Sequence, residues 1–204
     1  LSAQQQHIVG LMNENGGRLQ RMIEDLLRAQ QASLALGGIS PQAVRLDRIC
    51  QQVMKDHQLL AEKRHVKVTA ELPVVALEAV PDNMHKVVDN LLSNAIKFSP
   101  EDGEVRIRLQ SSDSEVTLTI SDEGPGIPEH EKTLVFEPFF RGSRTRSAGV
   151  EGSGVGLAIS RDYVSAHRGT LSILPSERGA SLQVRLPLRQ THKTEKNNTE
   201  TRYA

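Results

Sequence analysis

Apolar positions in the first part of the chain recur every three to four residues. Ile8, Met12, Asn15, Leu19, Met22, Leu26 and Ala29 are spaced alternately by four and three, and Leu11, Ile23 and Leu27 widen the stripe. That pattern predicts one helix over residues 2–34, with a face broad enough for a helical bundle rather than a two-stranded rope. Gly10, Gly16 and Gly17 each weaken it by up to about 1 kcal/mol relative to Ala, so the helix wants a partner. Gly37-Gly38-Ile39-Ser40-Pro41 then breaks the chain as a linker would.

Beyond the linker the periodicity keeps changing. Residues 44–60 carry helical spacing, although the start of this stretch could be a short strand. Residues 65–70 alternate as a strand, and 74–77 offer another. Pro81 opens a strong helix in which Met84, Val87, Val88, Leu91, Leu92, Ala95 and Ile96 share one face; it stops at Ser99-Pro100. Val105, Ile107 and Leu109 alternate, as do Val116, Leu118 and Ile120 after a Ser-rich turn, which predicts a hairpin. Residues 122–156 are punctuated by glycine. A helix follows over about 154–166, then strands over 170–174 and 182–186. Residues 189–204 are polar, lack apolar spacing and read as a disordered tail. Antiparallel strand pairs with helices interposed define an α+β class: helices layered on one face of a mixed sheet.

Composition narrows the function. The 204 residues hold 25 Lys and Arg against 25 Asp and Glu, so the basic excess needed to grip nucleic acid is missing. The single cysteine, Cys50, excludes an internal disulfide framework and a Cys-rich zinc site. No apolar run is long enough to span a bilayer, and no signal peptide opens the sequence.

Three clusters carry candidate chemistry. Asn90 and Asn94 lie one turn apart on the helix at 81–98, with Lys97 a turn further on. Buried amides in an apolar helix need partners, so the pair either bonds to neighbouring loops or offers oxygens to a hard cation beside a phosphate-binding lysine. Asp122-Glu123-Gly124-Pro125-Gly126-Ile127 follows a strand end. It is either an ordinary turn or an acceptor placed where backbone can approach a ligand. Gly152-Ser153-Gly154-Val155-Gly156-Leu157 opens a helix, as a hinge or as an anion cradle of free N–H groups. Its spacing fits neither a dinucleotide-binding fingerprint nor a Walker A loop. Between the last two, Phe136-Glu137-Pro138-Phe139-Phe140-Arg141-Gly142 holds three of the four phenylalanines. With Arg144 and Arg146 beyond it, this stretch is either an aromatic core corner or the anchor of a lid that covers phosphates.

In this order the clusters resemble the catalytic and ATP-binding domain of bacterial two-component sensor histidine kinases. Residues 90–99 are similar to the N box, 122–127 to the first glycine box, 136–142 to the F box and 152–157 to the second glycine box. Gly179-Ala180-Ser181 stands where the family has a weaker third one. The resemblance spans residues 42–188 and implies the Bergerat fold, a two-layer α/β sandwich that binds ATP and Mg²⁺. It implies that Asp122 accepts from the adenine amino group and that Asn90 and Asn94 hold Mg²⁺. Lys97 and Arg141 would neutralise phosphate charge. Phe98, Gly124, Gly126, Ile127 and Ser181 would complete the nucleotide pocket, and Gly152, Ser153, Gly154, Val155, Gly156 and Leu157 would line the phosphates. Asn90, Lys97 and Arg141 are the implied catalytic group. One turn before Asn90, where relatives often carry a polar residue suggested as a base, this chain has Lys86, and that role stays unassigned.

The resemblance departs at the start. Residues 1–36 are similar to the second helix of the family's dimerisation hairpin, and 37–188 form the catalytic domain. His7 lacks the acidic neighbour and Thr-Pro turn of a phospho-accepting histidine, as do His57, His65, His85, His130, His167 and His192. The expectation is therefore a piece of a longer kinase whose acceptor histidine lies outside this chain. The implied partners are that acceptor hairpin, a second copy of the full-length protein and a response regulator receiver domain, with no nucleic acid. The implied location is the cytoplasmic side of an inner-membrane sensor.

Overall fold

The computed structural model describes residues 41–143 and 153–189; the helix expected over 2–34, Gly152, Arg144, Arg146 and most of the polar tail lie outside these ranges. A short strand β1 (Gln42–Arg45) runs directly into helix α1 (Leu46–Asp56), and α2 (Gln58–Lys63) follows after His57. The strand start anticipated near Val44 is thus real, and the single helix expected to Leu60 is broken at His57. Next come β2 (Lys67–Glu71), β3 (Ala76–Ala79) and the long helix α3 (Pro81–Phe98), with Pro at its first position, where no N–H is required. The hairpin β4 (Glu104–Ser111) and β5 (Glu115–Ser121) leads through two single-turn 3-10 segments, Glu129–Glu131 and Leu134–Phe136. Helix α4 (Gly156–Ala166) and strands β6 (Thr170–Ile173) and β7 (Ser181–Pro187) complete the order.

The main sheet has five strands in the order β2-β4-β5-β7-β6, while β1 and β3 pair separately. Only β2 and β4 run parallel in it; the other neighbours are antiparallel. The separate β1–β3 ribbon was not anticipated, because four-residue strands carry too little alternation to reveal a partner. Register lines up Ile107 with Ile120 and Ile120 with Leu182, and likewise Leu109 with Leu118 and Leu118 with Val184. Every second side chain of β4, β5 and β7 therefore enters the same core. Met84, Val87, Val88, Leu91, Leu92, Ala95 and Ile96 of α3 are all buried, as their spacing predicts, and α1 and α4 flank this helix. Burying each large aliphatic side chain there contributes roughly 1.5–3 kcal/mol. The architecture is the expected two-layer α/β sandwich.

Two polar fixtures hold the helices in place. Arg45 donates two hydrogen bonds to Asp47, at 2.8 and 2.6 Å, and Asp47 Oδ1 also accepts from Val75 N–H at 3.3 Å. These bonds, the guanidinium's first, outweigh burial and hold the Asp47 carboxyl below its usual range. His167, almost fully buried, ends α4: its Nε2 accepts from Val80 N–H at 3.0 Å, and its Nδ1 lies 2.7 Å from Tyr163 O. A carbonyl can only accept, so Nδ1 carries the proton. The ring thereby ties the start of α3 to the end of α4. His167→Ala should cost about 1–2 kcal/mol for the orphaned Val80 N–H alone. His167→Gln, whose Oε1 can take that N–H, should recover part of it; urea midpoints measure both.

Candidate functional site

The helix α3 is amphipathic, and its less apolar side brings Asn90, Asn94 and Lys97 to one half-buried face. Two glycine-bearing loops abut this helix. A Cβ on Gly124 would stand 2.5 Å from Phe98 O, so the loop after β5 packs against the end of α3. A Cβ on Gly156 would stand 3.2 Å from Asn90 Oδ1, so the first turn of α4 packs against its middle. The three clusters picked out along the sequence therefore converge.

Asp122 follows the last residue of β5 and is 8% exposed. Its Oδ1 accepts from Gly124 N–H at 2.8 Å and from Ala180 N–H at 3.1 Å, and its own N–H donates to Ala180 O at 2.9 Å. Oδ2 has no hydrogen-bond partner among the described residues. Burial raises the Asp122 carboxyl above the usual aspartate range, and the two backbone donors only partly oppose this. A buried carboxylate with one oxygen pinned and the other open is an acceptor awaiting a donor. The loop from 174 to 180 closes over it: a Cβ on Gly179 would fall 1.8 Å from Asp122 O. Gly179 and the backbone of Ala180 are thus part of the site. Their only signal in the sequence was the faint third glycine motif.

Asn90 Nδ2 donates to Gly156 O at 3.1 Å and to Ser160 Oγ at 3.2 Å, which leaves Oδ1 without a hydrogen-bond partner among the described residues. The nitrogen of this asparagine thus bonds the head of α4, as the reading of a buried amide that finds partners expects. Beside it, Asp89 takes a 2.8 Å hydrogen bond with His57 Nε2, and this contact, more than any other, holds its carboxyl below the usual range. Asp89 is therefore committed elsewhere.

Helix α4 begins without a side-chain cap. Among the described residues no side chain caps its first N–H groups, which fits an anion at this end. Gly154, at φ +74°, precedes the helix, and a Cβ there would stand 2.7 Å from Phe140 O. The glycine segment and the phenylalanine segment are thus in backbone contact. Of the three clustered phenylalanines, Phe136 fills the core, Phe140 is half-buried and Phe139 is 48% exposed at φ +65°. Arg141 is half-buried beside them, and Ser143 N–H donates to the buried Glu131 at 2.9 Å. Val155 is 2% exposed, so only its backbone is available to a ligand, while Leu157 is half-buried against the core. Ser181 Oγ sits 2.8 Å from Ser121 Oγ across β5 and β7. Ile127 is half-buried on the loop that carries Asp122, and Phe98 is half-buried at the end of α3, against which that loop packs.

A carboxylate at a strand end, an asparagine face and an uncapped helix led by glycines thus meet around one helix of an α/β sandwich. Residues 79–190 match the family of histidine kinase-, DNA gyrase B- and HSP90-like ATPases, and the chain belongs to it. The sensor histidine kinase GlrK of Escherichia coli (strain K12) is 31% identical over 196 residues, covering 95% of this chain and 40% of that protein. This chain thus spans about two-fifths of that relative's length. The mycobacterial sensor histidine kinase MprB superposes with a TM-score of 0.64 at 30% identity, over 74% of this chain and 99% of that structure. The histidine kinase ThkA, solved with the response regulator protein TrrA, shares the fold with a TM-score of 0.72 at 20% identity, over 92% of this chain and 52% of that one. Sequence and fold are those of a sensor histidine kinase ATP-binding domain.

Proposed function

We propose that this chain binds Mg²⁺-ATP and positions its γ-phosphoryl group for transfer to a histidine on a dimerisation hairpin, for relay to a response regulator. The observation that carries the reading is that the loop holding the Asp122 cage packs on the end of α3 while the uncapped start of α4 packs on its middle. One accepts from an amino group in a buried pocket, and the other takes an anion. In this reading Asp122 Oδ2 accepts from the adenine amino group. The backbone N–H groups at Gly154, Gly156 and Leu157 receive phosphate oxygens, as does that of Ser153. Lys97 and Arg141 offset the phosphate charge. The donor set suits a hard cation, since Asn90 offers a free amide oxygen and Asn94 adds a second one a turn away. Bound Mg²⁺ supplies neutralisation of the charge that spreads over the phosphate oxygens during transfer. What this chain contributes is positioning and electrostatics.

The acceptor belongs elsewhere in this reading. His167 is 2% exposed and held at both ring nitrogens, and His57 is paired with Asp89. Neither presents a free imidazole. A homodimer of the full-length protein would bring a hairpin to each nucleotide site. The relatives' designation as sensors supports a cytoplasmic position beneath a membrane segment; among the described residues no helix is long and apolar enough to cross one.

Radiolabelled ATP tests the proposal. Incubated alone, the 204-residue chain should accumulate no acid-labile label. Adding a separate acceptor-bearing hairpin should place label on the hairpin, slowly, because affinity must replace the effective concentration that tethering supplies. Acid-labile label on this chain alone, lost in His7→Gln, would overturn the acceptor assignment.

A further inference from the structure

Ser160 lies one turn into α4, fully buried at 0% exposure, and no nucleotide-binding motif includes it. Its hydroxyl donates back to Gly156 O at 2.9 Å and accepts from Asn90 Nδ2 at 3.2 Å. The directions are forced. Gly156 O has no proton to give, and a serine hydroxyl has only one, which goes to that carbonyl. Ser160 therefore shows Asn90 a lone pair, and Gly156 O shows it another at 3.1 Å. Both acceptors demand the nitrogen end of the Asn90 amide. Reversing the amide would set its oxygen against Gly156 O with no proton between them.

We infer that Ser160 is a positioning residue that fixes the amide of Asn90 with its oxygen free for the cation. The inference rests on Asn90 acting as a metal-binding residue. With two acceptors holding Nδ2, Oδ1 is pre-set and pays no reorientation cost when the metal and phosphates arrive. The same three-atom contact ties the middle of α3 to the head of α4, so the asparagine face and the glycine segment are held in one register. Removing the hydroxyl leaves Gly156 O as the sole anchor and strips one amide proton of its partner.

Calorimetry of ADP and of a non-hydrolysable ATP analogue, each with Mg²⁺ and with chelator, reads the effect on the 204-residue chain. Ser160→Ala should lower Mg²⁺-dependent affinity by about threefold to tenfold, the worth of one buried hydrogen bond, with affinity in chelator unchanged. Nuclear magnetic resonance of the nucleotide-free protein supplies a second readout. The Asn90 side-chain amide protons should exchange slowly with solvent in the native chain and quickly in Ser160→Ala. Ser160→Thr, which keeps the hydroxyl, should restore slow exchange. Asn90→Ala separates the two levels of the argument. If it retains full Mg²⁺ dependence, the reading of the site is wrong. If it loses that dependence while Ser160→Ala keeps both the dependence and slow amide exchange, the positioning role is overturned.

Discussion

Asp122→Asn should remove most of the affinity for adenine nucleotides while leaving the fold intact. In the native site Oδ1 is held by Gly124 and Ala180 N–H groups and Oδ2 is open. Asparagine can keep its oxygen on the two backbone donors, which directs its amide nitrogen at the incoming adenine amino group. Donor then meets donor. The mismatch should cost at least about 2–3 kcal/mol of nucleotide binding. Guanine, which presents an acceptor at the corresponding position, should lose less or gain. Titration with ADP and GDP measures both, and equal ADP affinity for the two proteins would remove Asp122 from base recognition.

The same carboxyl sets a pH dependence. Its folded pKa is raised by burial, so the folded protein holds the proton more tightly than the unfolded chain. The folded state therefore loses stability as pH rises from the unfolded value through the raised folded one. Binding has the opposite sense, because adenine needs the ionised acceptor: ADP affinity should fall as pH drops through the raised value. Asp122→Asn should abolish that fall and should melt no lower than the native protein at neutral pH.

The elements that define this site were unequally legible. Helix α3 announced itself, because seven apolar positions at helical spacing and a Pro start leave no other reading, and all seven are buried. The sheet strands were equally plain, since alternation in β4, β5 and β7 survives burial of one face only. What sequence could not supply was adjacency. Nothing in Ser160 marks it as a neighbour of Asn90, and Ala180 carried only the faint third glycine motif, because each acts across a long stretch of chain. The phenylalanine cluster divided in a way composition could not foresee, with Phe136 in the core and Phe139 outside it. Val155 lies in the glycine segment, yet the fold spends its side chain on packing.

Gly179→Ala should be among the most damaging single substitutions, for a reason that separates site from scaffold. At φ +71° a side chain is strained before any contact is considered, and its Cβ would fall 1.8 Å from Asp122 O and 2.9 Å from Asp122 Oδ1. Backbone cannot yield there as a flexible side chain could, so the 174–180 loop must lift away. A destabilisation of about 2–4 kcal/mol follows from the strain and displacement. Lifting the loop also withdraws Ala180 N–H from the carboxylate, and Asp122 loses one of its two fixed donors. Gly169→Ala is the control, since its Cβ would stand 2.3 Å from Arg185 O, far along the sheet from Asp122. Both variants should unfold at lower urea concentration. After correction for the folded fraction, Gly169→Ala should bind ADP as the native chain does, whereas Gly179→Ala should bind it at least about tenfold more weakly. Equal residual affinities would mean that the cage over Asp122 serves the fold and not the base.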